Sequence, residues 1–167
     1  MAEEQNTPPE NLHSDTSNQG ANTDPNAPLS QESLRSVHTS NFPEILRQLG
    51  ISLVVSTYQA GKLIFVRPEE NSLNTHFAGF NKPMGVAVAP GRMSVGTAVE
   101  VWELRDNPAV APKIEPTNTF DSFYMPRQMH ITGDIDIHEM AYDSDGELWL
   151  VNTRFCCLCN LDIHHSF

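Results

Sequence analysis

The sequence has few basic residues and no long apolar run. Ten Lys and Arg side chains stand against 21 Asp and Glu side chains, which gives a net charge of −11. A nucleic-acid-binding protein needs a basic patch for the phosphate backbone, so we expect no nucleic-acid partner. No run approaches the roughly 18 apolar residues of a membrane span, and residues 1–4 lack the features of a signal peptide. We therefore expect a cytoplasmic protein with no membrane partner.

Cysteine is scarce as well, and all three cysteines lie close together: Cys156, Cys157 and Cys159. Neighbouring side chains of a strand point to opposite faces and do not pair easily, so a disulfide framework is excluded, which fits a reducing compartment. Their spacing to His164 and His165 does not match the usual zinc-binding forms. We expect cysteines buried on a core strand, because free cysteine is among the most buried residue types.

Residues 1–38 lack Phe, Tyr, Trp and Ile, and they carry six carboxylates and one Arg. Such a segment cannot bury enough apolar surface to offset its ordering entropy. It is predicted to be a disordered acidic tail, and a mis-chosen start codon is the alternative origin. A short helix over residues 42–49 should follow, with Asn41 as its cap, Pro43 in its first turn and Gly50 as its stop.

An internal repeat predicts the fold of the rest. Each copy has a short apolar strand, a turn at a glycine and a second alternating strand, which is the pattern of antiparallel hairpins. The clear copies are residues 83–97, with a turn at Gly91, and residues 137–153, with a turn at Gly146; residues 52–66 form a partial copy. Repeats of short strands indicate β-propeller blades. We therefore predict an all-β, incomplete propeller-like domain over residues 39–167, in which the proline-rich residues 105–129 form a long connection between blades.

A cluster of acids and one imidazole marks a candidate site. Asp134, Asp136 and His138 alternate with Ile135 and Ile137. On an extended strand the three polar side chains share one face, and two carboxylates with an imidazole suit a divalent metal ion. A solvated strand face is the alternative interpretation.

Three further residues complete the set of binding candidates. Glu139 falls on the opposite face of the same predicted strand unless the backbone bends. Tyr124 and Arg127 stand beside a proline, where they either line the mouth of a pocket or pack the loop. Spacing alone supports no Ser/His/Asp or Cys/His catalytic arrangement.

Four segments of this sequence resemble a bacterial family of conserved hypothetical proteins with a propeller-like domain of unknown function. These segments are residues 56–63, 82–85, 132–139 and 151–158, and the resemblance covers roughly residues 40–167. Members of that family continue beyond the position that matches Phe167, so the resemblance implies that this chain corresponds to the N-terminal half. The family usually has one cysteine where this chain has Cys156 and Cys157. The resemblance implies a fold and no reaction.

These observations favour a non-enzymatic module that binds a small molecule or a protein. The alternative is a metal-dependent hydrolase or lactonase-like enzyme with a divalent ion at Asp134, Asp136 and His138, since propellers often hold an ion where their inner strands converge. Too few blades are present for a closed ring, so open blade edges should also promote self-association.

Overall fold

Residues 36–165 are described by a computed structural model as a set of antiparallel sheets with one short helix. Residues 1–35, most of the predicted tail, lie outside the described residues. The helix and strands are α1 Phe42–Leu49, β1 Leu53–Thr57, β2 Lys62–Glu69, β3 Ser72–Gly79, β4 Val86–Ala89, β5 Arg92–Gly96, β6 Glu100–Asp106, β7 Tyr124–Ile131, β8 Ile137–Tyr142, β9 Leu148–Asn152 and β10 Cys157–Asn160. The predicted all-β class with one short helix is confirmed.

The strands form three sheets, each made of neighbours in the chain. The first sheet has the order β1-β2-β3, the second β4-β5-β6-β7 and the third β8-β9-β10, and every pairing is antiparallel. The three hairpins predicted from the sequence repeat are β1-β2, β4-β5 and β8-β9, and each forms the first two strands of one sheet. The sheets are therefore successive up-and-down meanders of three, four and three strands.

The helix lies on the first sheet through a narrow apolar contact. Its buried residues are Pro43 and Leu46. Gly50 ends it in the left-handed conformation (φ 62°), where its amide donates to the carbonyl of Arg47, as the sequence predicts. The predicted cap residue Asn41 precedes the helix, but its side chain makes no capping hydrogen bond. No helix among the described residues has the length and apolar character needed to cross a membrane.

Strand β7 corrects the prediction of a long connection over residues 105–129. Its Pro126 is tolerated because β7 is the edge strand of the second sheet, where a missing N–H breaks no ladder on the open side. Leu104 pairs with Pro126 while Glu103 pairs with Gln128, so Arg127 is the extra residue of a β-bulge. The four prolines and this bulge hid the strand period.

The second sheet lies between the other two and packs against one of them with each of its faces. Its first-sheet side packs Met93, Val95 and Leu104 against Leu63, and the Trp102 ring meets the Phe80 ring edge-on at 6.0 Å. Its third-sheet side packs a second apolar cluster that consists of Ala87, Val101, Ile135, Ile137, Met140 and Leu150. Two separate cores thus join three stacked sheets.

Glycine allows the second and third sheets to approach closely. A Cβ atom on Gly96 would lie 2.8 Å from Ile137 Cγ2 and 2.9 Å from Met140 Sδ. A Cβ atom on Gly85 would lie 2.7 Å from Met140 Cγ. The side chains of β8 therefore rest directly on the backbone of the second sheet.

The cysteines do not lie on a buried core strand. Cys156 and Cys157 are exposed and Cys159 is half-buried, and all three thiols are free. The cause is their place in the fold, because β10 is an edge strand of the third sheet within residues 36–165. The sequence pattern identifies β10 as a strand but does not reveal that its outer side is uncovered.

Candidate functional site

The backbone around Asp136 decides where the predicted acid and imidazole cluster points. Ile135 and Ile137 are buried, at 1% and 2% exposure, in keeping with their predicted place on one face. Asp136 adopts a positive φ of 51°, however, and β8 begins only at Ile137. The segment is therefore a bend followed by a strand, and strict alternation does not apply to Asp134, Asp136 and His138.

The three side chains do not form one metal-binding group. A carboxylate oxygen of Asp134 accepts a hydrogen bond from the Arg154 guanidinium at 2.6 Å. His138 Nε2 lies 4.0 Å from Asp136 Oδ2, and both side chains are substantially exposed. Within residues 36–165 no three His, Cys, Asp or Glu side chains are placed to hold a metal ion. The geometry consequently does not support the metal-dependent hydrolase alternative.

The other predicted site residues lie elsewhere. Glu139 is exposed on β8. Tyr124 packs against the core between the first and second sheets, and burial, followed by the nearby carboxylates of Asp106 and Asp121, raises its pKa. Arg127 is exposed at the bulge of β7. The six predicted residues therefore do not surround one common pocket.

A polar cleft that the sequence pattern did not reveal lies between the second and third sheets. It has a volume of about 180 Å³. Side chains from both sheets converge on it, and apolar residues form part of its wall. The lining residues are Arg92, Ser94, Val101, Glu103, Gln128, His130, Tyr142, Gly146, Leu148 and Leu161.

Strand register and the bulge of β7 together build the polar wall. Ser94 pairs with Glu103 and Glu103 pairs with Gln128, so three polar side chains form a row across β5, β6 and β7. Pro126 faces the same side as Leu104, away from the cleft. Without the extra residue Arg127, strict alternation would turn Gln128 and His130 to that side as well. The bulge at Arg127 therefore directs the side chains of Gln128 and His130 into the cleft.

On the wall that the third sheet contributes, Tyr142 forms a hydrogen bond to the second sheet. The hydroxyl of Tyr142 lies 2.6 Å from the hydroxyl of Ser94, which is 1% exposed. The Arg92 guanidinium lies over the Tyr142 ring, 3.9 Å from its centroid, and donates a hydrogen bond to the Gly146 carbonyl at 2.5 Å. Arg92 is thereby held in one position by a cation–π contact and a hydrogen bond.

The charges in the cleft are of both signs. The Glu103 carboxylate accepts a hydrogen bond from Arg105 Nε at 2.8 Å. Because a carboxylate oxygen has more than one lone pair, Glu103 retains acceptor capacity toward the cleft. The wall thus offers a guanidinium, a carboxylate, an amide, an imidazole and a hydroxyl. Such a set can orient a small molecule that carries both donors and acceptors.

Only part of this site could have been found from the sequence. Glu103 and Arg105 alternate with Trp102 and Leu104, which predicts a strand with one polar face. Gln128 and His130 gave no such signal, because the bulge interrupts the period before them. Tyr142 and Gly146 lie in the predicted hairpin, but the sequence does not show which sheet they face.

Comparison with known proteins places the chain in a family. Residues 40–167 match the model of a family described as a domain of unknown function (DUF4915). This match includes the helix and all ten described strands. No curated protein matches the chain. The chain therefore belongs to the DUF4915 family.

Proposed function

We propose that this chain is a non-enzymatic binding module that takes a small polar molecule in the cleft between its second and third sheets. The observation that carries the proposal is the convergence of Arg92, Ser94, Glu103 and Gln128 from one sheet with Tyr142 from the other. Ligand sites in proteins are concave and contain a few well-placed polar groups on an otherwise apolar wall. This cleft has that composition.

The size and chemistry of the cleft limit the ligand. Its volume of about 180 Å³ lies below the roughly 300–1,000 Å³ of pockets for drug-sized molecules. The fixed Arg92 guanidinium favours an acceptor or a carboxylate on the ligand, and Glu103 favours a donor. A small hydroxylated or zwitterionic compound meets both requirements.

We also propose that the three sheets are blades of a β-propeller. Each is an antiparallel meander of chain neighbours, and consecutive sheets pack face to face. Propeller blades are likewise small antiparallel sheets packed around a central axis, usually with four strands; the second sheet has four strands and the other two have three. The close packing of β8 on Gly85 and Gly96 fits the convergence of inner strands near a central axis.

The three free thiols support a reducing compartment as the location. We propose the cytoplasm, where such thiols persist.

Binding is tested by screening the full chain against small polar metabolites, namely hydroxy acids, amino acids and monosaccharides, with ligand-observed NMR. Glu103→Gln removes the carboxylate charge without changing the side-chain shape, and Gln128→Ala removes a second group of the same row. We expect each to weaken the binding of screening hits by about tenfold, the cost of one charged or well-made hydrogen bond.

Glu139→Gln is the matched control, since it makes the same chemical change on an exposed part of β8. Hits should bind this variant as they bind the wild type. A screen without hits, or hits that keep their affinity in both cleft variants, would contradict the proposed function.

A further inference from the structure

Two cysteines lie side by side on the last described strand. Cys157 and Cys159 are two residues apart on β10, so their side chains point to the same face of the third sheet. Cys157 pairs with Asn152 of β9, and Cys159 pairs with Leu150. Both thiols therefore lie on the side that faces the second sheet, at the uncovered edge of the strand.

The two thiols are neighbours on one strand face and are accessible. Residues i and i+2 of a strand lie on the same face, so Cys157 and Cys159 are adjacent on it. Cys157 is exposed and Cys159 is half-buried, which gives solvent access from one side. Cys156 stands apart from the pair, because it has a positive φ of 51° and its thiol lies 3.7 Å from the carbonyl of Thr153.

A buried amide faces the sulfur pair. Asn152 is fully buried, and its Oδ1 accepts a hydrogen bond from the Phe155 amide at 3.1 Å. Asn152 is the register partner of Cys157 across the two strands, and its Nδ2 makes no hydrogen bond within the described residues. A buried donor without an acceptor is costly, and an ionised sulfur is a stronger acceptor than a thiol. Burial raises the pKa of the Cys159 thiol, so the thiolate at this position forms on metal binding, when the ion displaces the proton, and Asn152 can then donate to the metal-bound sulfur.

We propose that Cys157 and Cys159 form a two-thiolate site for a soft monovalent cation, with Cu(I) as the ion that fits best. Soft thiolate ligands select Cu(I), which is stable with few sulfur ligands. Zinc requires about four ligands, and residues 36–165 provide no third His, Cys, Asp or Glu side chain at a suitable place. Asn152 then donates to a metal-bound sulfur from outside the coordination shell.

Binding changes no oxidation state. Two S–H bonds lose their protons to solvent, two Cu–S bonds form, and the copper stays monovalent, so the occupied site carries one net negative charge. Affinity is consequently expected to rise with pH, since ligand deprotonation is coupled to binding.

The test is a competitive titration of the reduced full chain with Cu(I) and bicinchoninate under anaerobic conditions. We expect about one Cu(I) per chain, and Cys157→Ser and Cys159→Ser should each weaken binding by at least about tenfold. Cys156→Ser is the control on the same strand end and should stay within about twofold of the wild type. X-ray absorption of the copper-loaded chain should show two sulfur neighbours.

Three results would overturn the proposal. They are absence of Cu(I) binding in the wild type, an equal loss in Cys156→Ser, and displacement of Cu(I) by an equimolar amount of Zn²⁺. Far-UV circular dichroism verifies the fold of each variant. If the half-buried Cys159→Ser variant unfolds, the exposed Cys157→Ser variant decides the question alone.

Discussion

At the scale of single residues, Asp143 organises the hairpin between β8 and β9. Its Oδ1 accepts hydrogen bonds from the amides of Asp145 and Glu147, at 3.0 and 2.9 Å, and its Oδ2 accepts one from Trp149 Nε1 at 3.0 Å. The Trp149 indole and these backbone donors lower the pKa of Asp143 below its ordinary value of 3.8. The ionised carboxylate is therefore the form that the hairpin prefers.

This lowered pKa predicts an acid-sensitive hairpin. Because the pKa is lower in the folded state, the stability from ionised Asp143 is present above pH 3.8 and is lost as the pH falls through the folded pKa. Asp143→Asn should be less stable than the wild type at pH 7, and this difference should shrink below pH 4. Urea unfolding as a function of pH measures both quantities.

Asp145→Asn supplies the control for this prediction, because it removes the same charge from the same turn without removing the acceptor of three hydrogen bonds. Its stability relative to the wild type should not follow the same pH profile. A pH-independent difference for Asp143→Asn would show that the carboxylate charge plays no part.

Some features of single residues follow from the sequence and others depend on tertiary contacts. The Asp-Gly pair predicts a turn at Gly146 because glycine tolerates a positive φ, and Gly146 has a φ of 84°. The spacing of Asp134, Asp136 and His138 predicts one shared strand face only if the backbone is regular. The positive φ of Asp136 and the ion pair between Asp134 and Arg154 depend on tertiary contacts that a period of two does not encode.

At the scale of elements, strands joined by a short glycine turn can be predicted from the sequence, whereas a strand that follows a long connection, such as β7, cannot. Strand pairs joined by a glycine turn carry their signal locally, and they appear in all three sheets. Strand β7 carries no such signal, because Pro126 and the bulge at Arg127 disturb its pattern and 17 residues separate it from β6. Its place is set by pairing with β6, which is a long-range contact. The polar cleft depends on that pairing, so it cannot be predicted from the sequence pattern either.

Because β8 packs directly on the backbone of the second sheet, adding one methyl group at Gly96 should lower the stability of the fold. Gly96→Ala places a Cβ within 3 Å of Ile137 and Met140, and overpacking of this kind destabilises a protein by about 1–3 kcal/mol. Chemical denaturation of the full chain measures the loss.

Gly79→Ala is a comparable change at the end of another strand. The nearest atom to its added Cβ is Lys62 Nζ at 3.8 Å, an ordinary contact. This variant should match or slightly exceed the wild type in stability, because alanine lowers the entropy of the unfolded chain. Equal destabilisation by the two substitutions would show that packing on β8 is not the cause.

At the scale of the whole molecule, the stack of three sheets has two apolar outer faces. The face of the first sheet that points away from the second bears a groove of about 510 Å³. Its apolar lining residues include Phe42, Leu53, Val55, Ile64, Val66, Leu73 and Phe77. On the outer face of the third sheet, Trp149 and Leu158 are 40% and 69% exposed. Exposed apolar faces of this extent mark interaction surfaces.

We therefore propose that the isolated chain self-associates through these faces, and light scattering over a concentration series should show species larger than a monomer. Val55→Lys puts a charge on the groove of the first sheet and should shift the population toward monomer. Val88→Lys makes the same change at a site that is 59% exposed on the second sheet and outside the groove. It should leave the association unchanged.

A wild-type chain that remains monomeric at all concentrations and unfolds in one cooperative transition would show that these faces need no partner. The interpretation of the sheets as propeller blades would then be wrong as well, because blades rely on packing against neighbours.

The positions of the two tryptophans give each end of the stack its own fluorescent signal. Trp102 lies in the core between the first and second sheets, against Phe80, whereas Trp149 is bound to Asp143 at the hairpin of the third sheet. Trp102→Phe and Trp149→Phe each leave one emitter. Its emission maximum reports on the hairpin of the third sheet in the first variant and on the junction between the first and second sheets in the other. Coincident midpoints mean that the three sheets melt as one unit. Separated midpoints mean that the third sheet detaches first or last, and that the cleft opens before the chain is unfolded.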